Sequence, residues 1–454
     1  MKYEVRSKNQ LPSTYYLSPV VGHRSSVTSH RLLVTNVRYS LLSRKILMNN
    51  TTQISFLDWI KNGRSPQLFA EISFIICLSY YALETINGRA QMADFRVYYD
   101  AANAFLNDTQ LYGKAFGVSS GFYKYSPFAC LPFVPLAIMP YKVASIIFYL
   151  LITGSIIWFS LYLYKSIAEE KYEKAGWILG LTALYMADHL ERELHLGNIN
   201  LFLLIAAFWI YSFLKNEKQI HAGLLYGLLL LFKPHFLILL PYLIWKKQWK
   251  AVLTTISFVA VGLLFPMVIK GWDGNIGLIK EWFIAMRDHS IKLEESPNTI
   301  YGIFNHFILR QPGHPLSIVI LLGLTSAVFL FFLIKNQRKY GNTDVRFLEF
   351  FILVALIPNL VHTDTEHFMW TWPLIAYTIA ELFKKKNTLF NAEWLAVIVL
   401  FTISFIPYCL NSPDIVGKKI RFLFDEGGLL GIANLFIIAA SVLVIPNKSQ
   451  TQIL

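Results

Sequence analysis

Ala93-Asp94-Phe95-Arg96-Val97-Tyr98-Tyr99-Asp100-Ala101-Ala102 decides the reading of this chain, because it sets carboxylates and aromatic rings just beyond the first apolar run of membrane length. An acid in that place meets lipid on one side and water on the other. The rest of the chain therefore has to be read with a bilayer present.

Composition agrees. The 454 residues are 55% hydrophobic and only 15% charged, with 35 Phe, 24 Tyr and 11 Trp, whereas soluble domains average about 25% charged. Apolar stretches that approach or reach membrane length recur near 68–86, 143–164, 176–190, 199–214, 220–232, 234–245, 251–269, 315–335, 346–361, 368–384, 391–410 and 427–446. The expected fold is an all-α polytopic membrane protein of about twelve transmembrane helices, with extracytoplasmic loops that bear short interfacial helices. The short pair 220–232 and 234–245 flanks Lys233-Pro234 and reads as broken or re-entrant segments shielded by other helices.

A net charge of +13 raises nucleic acid as a partner, but Lys and Arg sit mainly in short loops between the apolar runs, where they set orientation. No nucleic-acid partner is expected. Cys77, Cys130 and Cys409 lie in or beside apolar segments without paired spacing, so they read as core- or lipid-facing. Residues 1–67 are polar and basic, with no apolar run of signal-peptide length. They are expected to form a disordered cytoplasmic tail, with the first span as signal and anchor and Met48 as a second plausible start. The membrane domain is expected over 68–446, and 447–454 as a cytoplasmic C-terminal tail.

Loop charges give the orientation. Lys61/Arg64, Lys165/Lys171/Lys174, Lys215/Lys218, Lys246/Lys247/Lys250, Lys335/Arg338, Lys384/Lys385/Lys386 and Lys448 all fall on one side of these spans, which the positive-inside rule makes cytoplasmic. This requires Phe128 to Pro140 to dip into the membrane or lie along it, and Pro132, Pro135 and Pro140 favour such a break. The other side then carries 87–126, 189–198, the Lys233-Pro234-His235 break, 270–314, 361–368 and 411–426. Nearly all the reactive polar residues lie there. The expected location is a plasma (inner) membrane, with both termini cytoplasmic and the site outside.

Five elements in one order carry a resemblance: Asp94-Phe95-Arg96-Val97-Tyr98-Tyr99-x-Ala101-Ala102, Tyr125-Ser126-Pro127-Phe128 with Pro135-Leu136-Ala137, Gly197-Asn198-Ile199-Asn200, Phe232-Lys233-Pro234, and Ser296-Pro297-Asn298-Thr299-Ile300-Tyr301-Gly302. Over about residues 70–385 the chain resembles glycosyltransferase family 87. The family is similar to the polyprenol-phosphate-mannose-dependent mannosyltransferases and has the membrane C-type glycosyltransferase fold. The resemblance implies transfer of a hexose (mannose-like) or pentose from a polyprenyl-phosphate sugar to a lipid or glycan acceptor, with the catalytic acid in the first outer loop. Two departures stand out. Gly197-Asn198-Ile199-Asn200 replaces the family's Gly-Gln before Asn, and Val361-His362-Thr363-Asp364-Thr365-Glu366-His367 stands where Trp-x-His-His is common.

An acceptor hydroxyl that attacks an anomeric carbon gains from a carboxylate that takes its proton, and Asp94 is the expected base, with Asp100 as runner-up. Six residues along a helix turn near 600°, so the two acids would point apart while Asp94 shares a face with Val97 and Tyr98. The competing reading makes Asp94 the N-cap of a short helix, Phe95 to Leu106. The leaving polyprenyl phosphate is an anion, and Lys233, which interrupts an apolar run, is its expected partner. The competing reading has Lys233 snorkel to the interface. His235 could donate to the same phosphate, with Arg96, Arg192 and Lys124 as less exclusive candidates. The full expected binding set is Arg96, Tyr98, Asp100, Tyr125, Asn198, Lys233, His235, His362 and His367.

His362, Asp364 and His367 also raise a metal, but His-x-Asp-x-x-His is not an established zinc spacing. No metal or cofactor is expected. The cluster His189, Glu191, Arg192, Glu193, His195 reads as a self-paired loop as readily as a sugar-binding one, and most outer aromatics read as an interfacial belt. A secondary transporter or flippase of lipid-linked sugars is the alternative. It lacks two halves of matching pattern, and no nucleotide fingerprint favours a pump.

Overall fold

Apolar side chains surround Tyr141–Ile167 on every side, and this run forms one uninterrupted helix of 27 residues, long enough at 1.5 Å per residue to cross a hydrocarbon layer of about 30 Å. In the computed structural model the described residues are 65–117, 121–167, 174–290, 296–309, 345–361, 364–384, 392–411 and 416–444. They fall in one unit, Trp59–Leu454. Residues 1–64 of the expected N-terminal tail, the span 315–335, His362 and the tail 447–454 lie outside the described residues, while Ser65 to Gln67, expected in the tail, begin the first helix.

The helices used below are α1 (Ser65–Ile86), α2 (Ala93–Leu106), α3 (Tyr141–Ile167), α4 (Ala175–Tyr185), α5 (Ala187–Leu196), α6 (Asn200–Lys215), α7 (Gln219–Phe232), α8 (Leu239–Trp245), α9 (Trp249–Leu264), α10 (Met267–Ser290), α11 (Arg346–Leu360), α12 (Trp372–Lys384), α13 (Ala392–Cys409), α14 (Lys418–Glu426) and α15 (Leu429–Leu443). One small antiparallel pair, β1 (Ala115–Phe116) and β2 (Gly121–Phe122), follows α2.

The described residues do not confirm about twelve full spans. Among the described residues two helices, α1 and α3, are long and apolar enough to cross a membrane alone, and up to five spans result if α5/α6, α9/α10 and α14/α15 each count as one. These pairs bend by 117°, 89° and 64°. The reason is local. The expected span 176–190 ends at Tyr185 and turns into α5, whose acids and bases at four-residue spacing suit a helix with two polar faces. The expected span 251–269 stops at Leu264, before Pro266, and α10 is itself broken at Gly271, with φ 70° and ψ 175°. Of the outer segments, 189–198 is mostly helix α5 and 270–290 belongs to α10, whereas 87–126 holds α2 between turns and the β1–β2 pair, in keeping with loops that bear short helices. Phe128 to Pro140 is broken as expected, into a 3-10 stretch Pro127–Phe133 and the turn Val134–Ala137.

Small residues let helices touch. A Cβ at Gly223 of α7 would stand 2.5 Å from the Ala251 carbonyl oxygen of α9, and Thr255 donates to the Gly223 carbonyl at 3.1 Å. The Ser296–Gly302 motif is a packing device. Thr299 Oγ1 accepts from Gly302 N at 2.9 Å, Asn359 Nδ2 donates to the Asn298 carbonyl at 3.0 Å, and Asn434 Nδ2 donates to Asn359 Oδ1 at 2.6 Å. This buried amide ladder ties the motif to α11 and α15 with its polar groups paired. All three cysteines are buried and free.

Candidate active site

Gly197 ends α5 in the left-handed region, with φ 67°. A Cβ there would stand 2.7 Å from Met92 Cε and 2.8 Å from Phe95 Cβ, so only glycine lets the start of α2 pack this closely on the α5/α6 corner. The contact brings Asn198 to Asp94. Asn198 Nδ2 donates to Asp94 Oδ2 at 2.6 Å, while Asn198 Oδ1 accepts from Ile199 N at 2.7 Å and from Tyr98 OH at 3.3 Å. Those two donors fix which way the amide faces. Tyr98 OH in turn pairs with Tyr125 OH at 3.2 Å.

Asp94 is in the first turn of α2 but is not its cap. That position belongs to Met92, which has φ 46° and no capping side chain. The carboxylate instead lines an open cleft together with Tyr98, Tyr125, Asn198, Lys233 and His367. His235, Lys124 and Asp364 line the same cleft. Burial pushes the Asp94 carboxyl up to about 6, and the negative charge of Glu366 adds to this while Lys233 opposes it. A carboxylate titrating there is ionised at neutral pH and holds a proton more strongly than an ordinary Asp.

Lys233 closes α7 in an extended conformation ahead of Pro234, as expected for the residue before a proline. Its side chain does not snorkel. It is 6% exposed and donates to Asn200 Oδ1 at 2.8 Å and to His367 Nε2. The Trp370 and Tyr125 rings lie 5.5 and 6.0 Å from Nζ. Behind this group Glu193 Oε1 accepts from Leu201 N at 2.7 Å, serving the start of α6. Arg192 Nε donates to Glu366 Oε1 at 2.9 Å.

The expected binding residues thus divide. Asp94, Tyr98, Tyr125, Asn198, Lys233, His235 and His367 share one cleft. Arg96 and Asp100 do not line it: they pair at 2.7 Å, and the guanidinium lies 4.3 Å from the Tyr141 ring centre. The α2 helix explains the split, because it turns Asp100 away from Asp94.

The segment read as a self-paired loop is helix α5, and its polar residues go to different partners. His195 meets Glu84 at 2.6 Å, Glu191 accepts from Tyr80, and His189 is buried against Tyr408 with ring centres 5.0 Å apart. Of the outer aromatics, most of which read as an interfacial belt, Tyr112, Tyr123, Trp370 and Trp372 are buried core groups. Asn200 and Trp370 were missed as site residues. The signal for Asn200 was present in Gly197-Asn198-Ile199-Asn200, but a repeat of two asparagines does not say what each faces.

Asp364, Glu366 and His367 place one ligand-type atom each within 4.8 Å of one another. Their geometry is that of a hydrogen-bonded wall. His367 Nδ1 meets the Asp364 carbonyl at 3.0 Å, its Nε2 receives Lys233, and Glu366 Oε1 receives Arg192. Glu366 Oε2 is buried with no hydrogen-bond partner among the described residues.

Membrane-length helices stand beside a cleft that holds a carboxylate and an ammonium. Comparison with known proteins makes the class explicit. The model of glycosyltransferase family 87 matches residues 122–362, over half of the chain, and the protein belongs to that family. The match contains Tyr125, Asn198, Lys233 and His235, while the fold adds Asp94 and His367 from outside it. An alpha-(1->3)-arabinofuranosyltransferase of Corynebacterium glutamicum is 25% identical over 198 residues, 43% of this chain. The chain spans 45% of that relative's length. The crystal structure of ArnT from Cupriavidus metallidurans in the apo state aligns over 81% of this chain and 75% of that chain, at 11% identity and a TM-score of 0.31.

Proposed function

We propose that this protein transfers a sugar from a polyprenyl-phosphate sugar to a lipid or glycan hydroxyl at the extracytoplasmic face of the plasma membrane, with Asp94 as general base. The observation that carries the reading is the shared cleft of Asp94 and Lys233. In the step, the acceptor oxygen bonds to the anomeric carbon as its proton passes to Asp94, and the carbon–oxygen bond to phosphate breaks. The polyprenyl phosphate leaves as an anion, and Lys233 meets the charge that develops on it. Asn198 donates to Oδ2 of Asp94 and so turns the carboxylate, leaving Oδ1 for the hydroxyl.

The lipid carrier is supported by α1, which ends at Ile86 shortly before α2 begins, so a polyprenyl chain in the bilayer and a phosphate in the cleft are compatible. The full fold on this reading is polytopic, with about twelve passes of which several are bent or broken. The relative's name favours a pentose over a hexose. Purified protein in vesicles, offered polyprenyl-phosphate arabinose and polyprenyl-phosphate mannose in radiolabelled form, tests this. Label should pass from one of them to a glycan or lipid product. Retention of label on both donors with every acceptor fraction of the cell envelope would refute the reading.

A further inference from the structure

We propose that Asn200 and His367 act as a positioning pair that aims the Lys233 ammonium at the leaving phosphate, neither of them touching the substrate phosphate itself. This deepens the transfer reading above and rests on it. An ammonium has three N–H donors and no acceptor. One goes to Asn200 Oδ1 at 2.8 Å and one to His367 Nε2. Lys233 lines the cleft, so the third is the one that a phosphate oxygen can take.

The histidine can serve only in one state. The Asp364 carbonyl, 3.0 Å from His367 Nδ1, can only accept, so that nitrogen carries the proton. Nε2 then presents a lone pair to Lys233. A doubly protonated ring would face the ammonium with like charge, which excludes His367 from donating to a phosphate from that nitrogen while Lys233 is in place.

Asn200 is held as firmly. It opens α6, and Glu193 ties down the next residue through Leu201 N. The Asn200 carbonyl accepts from Trp370 Nε1 at 3.2 Å, which sets the indole beside the ammonium. The Asn200 Nδ2 atom is buried with no partner among the described residues. An uncompensated buried amide costs stability, and Lys233 is the group its oxygen serves.

The test uses full-length protein in vesicles and four variants: N200L, H367F, H367Q and K233M. Leucine and phenylalanine keep size and remove the acceptor, whereas the glutamine amide oxygen reaches the place of Nε2. N200L and H367F should each lower kcat by about 10²-fold, the scale of losing one oriented donor to a developing charge, with KM for the acceptor little changed. H367Q should recover most of the H367F loss. Adding N200L to K233M should cost nothing further, because the pair acts through the lysine. Multiplying losses in the double variant, or an H367Q as inactive as H367F, would overturn the proposal.

A second readout needs no substrate. The rate at which an amine reagent modifies Lys233, followed by mass spectrometry, should change in N200L and H367F and stay near wild type in H367Q. An unchanged rate in N200L and H367F overturns the pair. Should wild type use no polyprenyl-phosphate donor, the transfer reading fails while the modification rates still decide the positioning.

Discussion

Asp94→Asn separates a base from a structural acid, because the two roles move stability in opposite directions. The Asp94 carboxyl is pushed up to about 6 from an ordinary value of 3.8, with burial as the main cause. At pH 7 the folded protein holds it ionised, although the ionised form is the one that burial disfavours. A gap of about 2 in pKa corresponds to about 3 kcal/mol of stability given up at neutral pH.

Asn carries no charge, has nearly the same size, and its Oδ1 can still accept from Asn198. The variant should therefore melt at the same temperature or a few degrees higher, while transfer falls by about 10²–10⁴-fold. Thermal unfolding in detergent and transfer in vesicles read the two effects on one preparation. The pH dependence follows with a definite sign. Between about 4 and 6 the folded state binds the proton that the unfolded state has released, so this group's contribution to stability is present at low pH and is lost as pH rises through about 6. Activity runs the other way: kcat/KM should climb about tenfold per pH unit below 6 and level off above it. Near-normal transfer by Asp94→Asn would refute the base assignment. An inactive variant that is also destabilised by more than about 2 kcal/mol would make Asp94 a structural group.

Three further outcomes are expected. Gly197→Ala should destabilise by about 1–3 kcal/mol and lower transfer, since its Cβ meets Met92 and Phe95 at the contact that joins Asn198 to Asp94; unchanged melting and activity would show that the corner can relax. Arg192→Met leaves Glu366, 3% exposed, without its cation and should cost about 3–5 kcal/mol, whereas Arg192→Met combined with Glu366→Leu should regain much of it in the same unfolding assay. Cysteine at exposed Asn107 should react with an impermeant thiol reagent from outside intact cells and cysteine at exposed Glu217 should not; the three buried native cysteines leave a low background, and reversed labelling would invert the proposed orientation.

Periodicity, hydropathy and proline placement were enough to expect an all-helical membrane chain, the break at Phe128 to Pro140, the interruption at Lys233-Pro234, and acids and histidines gathered between apolar runs. These are properties of single segments, because whether a stretch buries its backbone in a helix and tolerates hydrocarbon is settled within roughly twenty residues. The number of uninterrupted spans was not legible in that way. The bends at Gly197 and Gly428 are packed against Met92 and Phe95 and against Pro297, neighbours that are distant in sequence.

The site divides along the same line. Asp94 and Lys233 could be singled out locally, one as an acid beyond an apolar run and the other as a charge that interrupts one. What each side chain faces could not. Only the tertiary structure turns Arg96 and Asp100 toward each other and away from the cleft, sets Asn198 on Asp94 across 104 residues, and sets His367 on Lys233 across 134. A hydrogen bond is specified by angles and tenths of an ångström, and those follow from how α2, α5, α6 and the turn before α12 pack together, which no single stretch of the chain encodes.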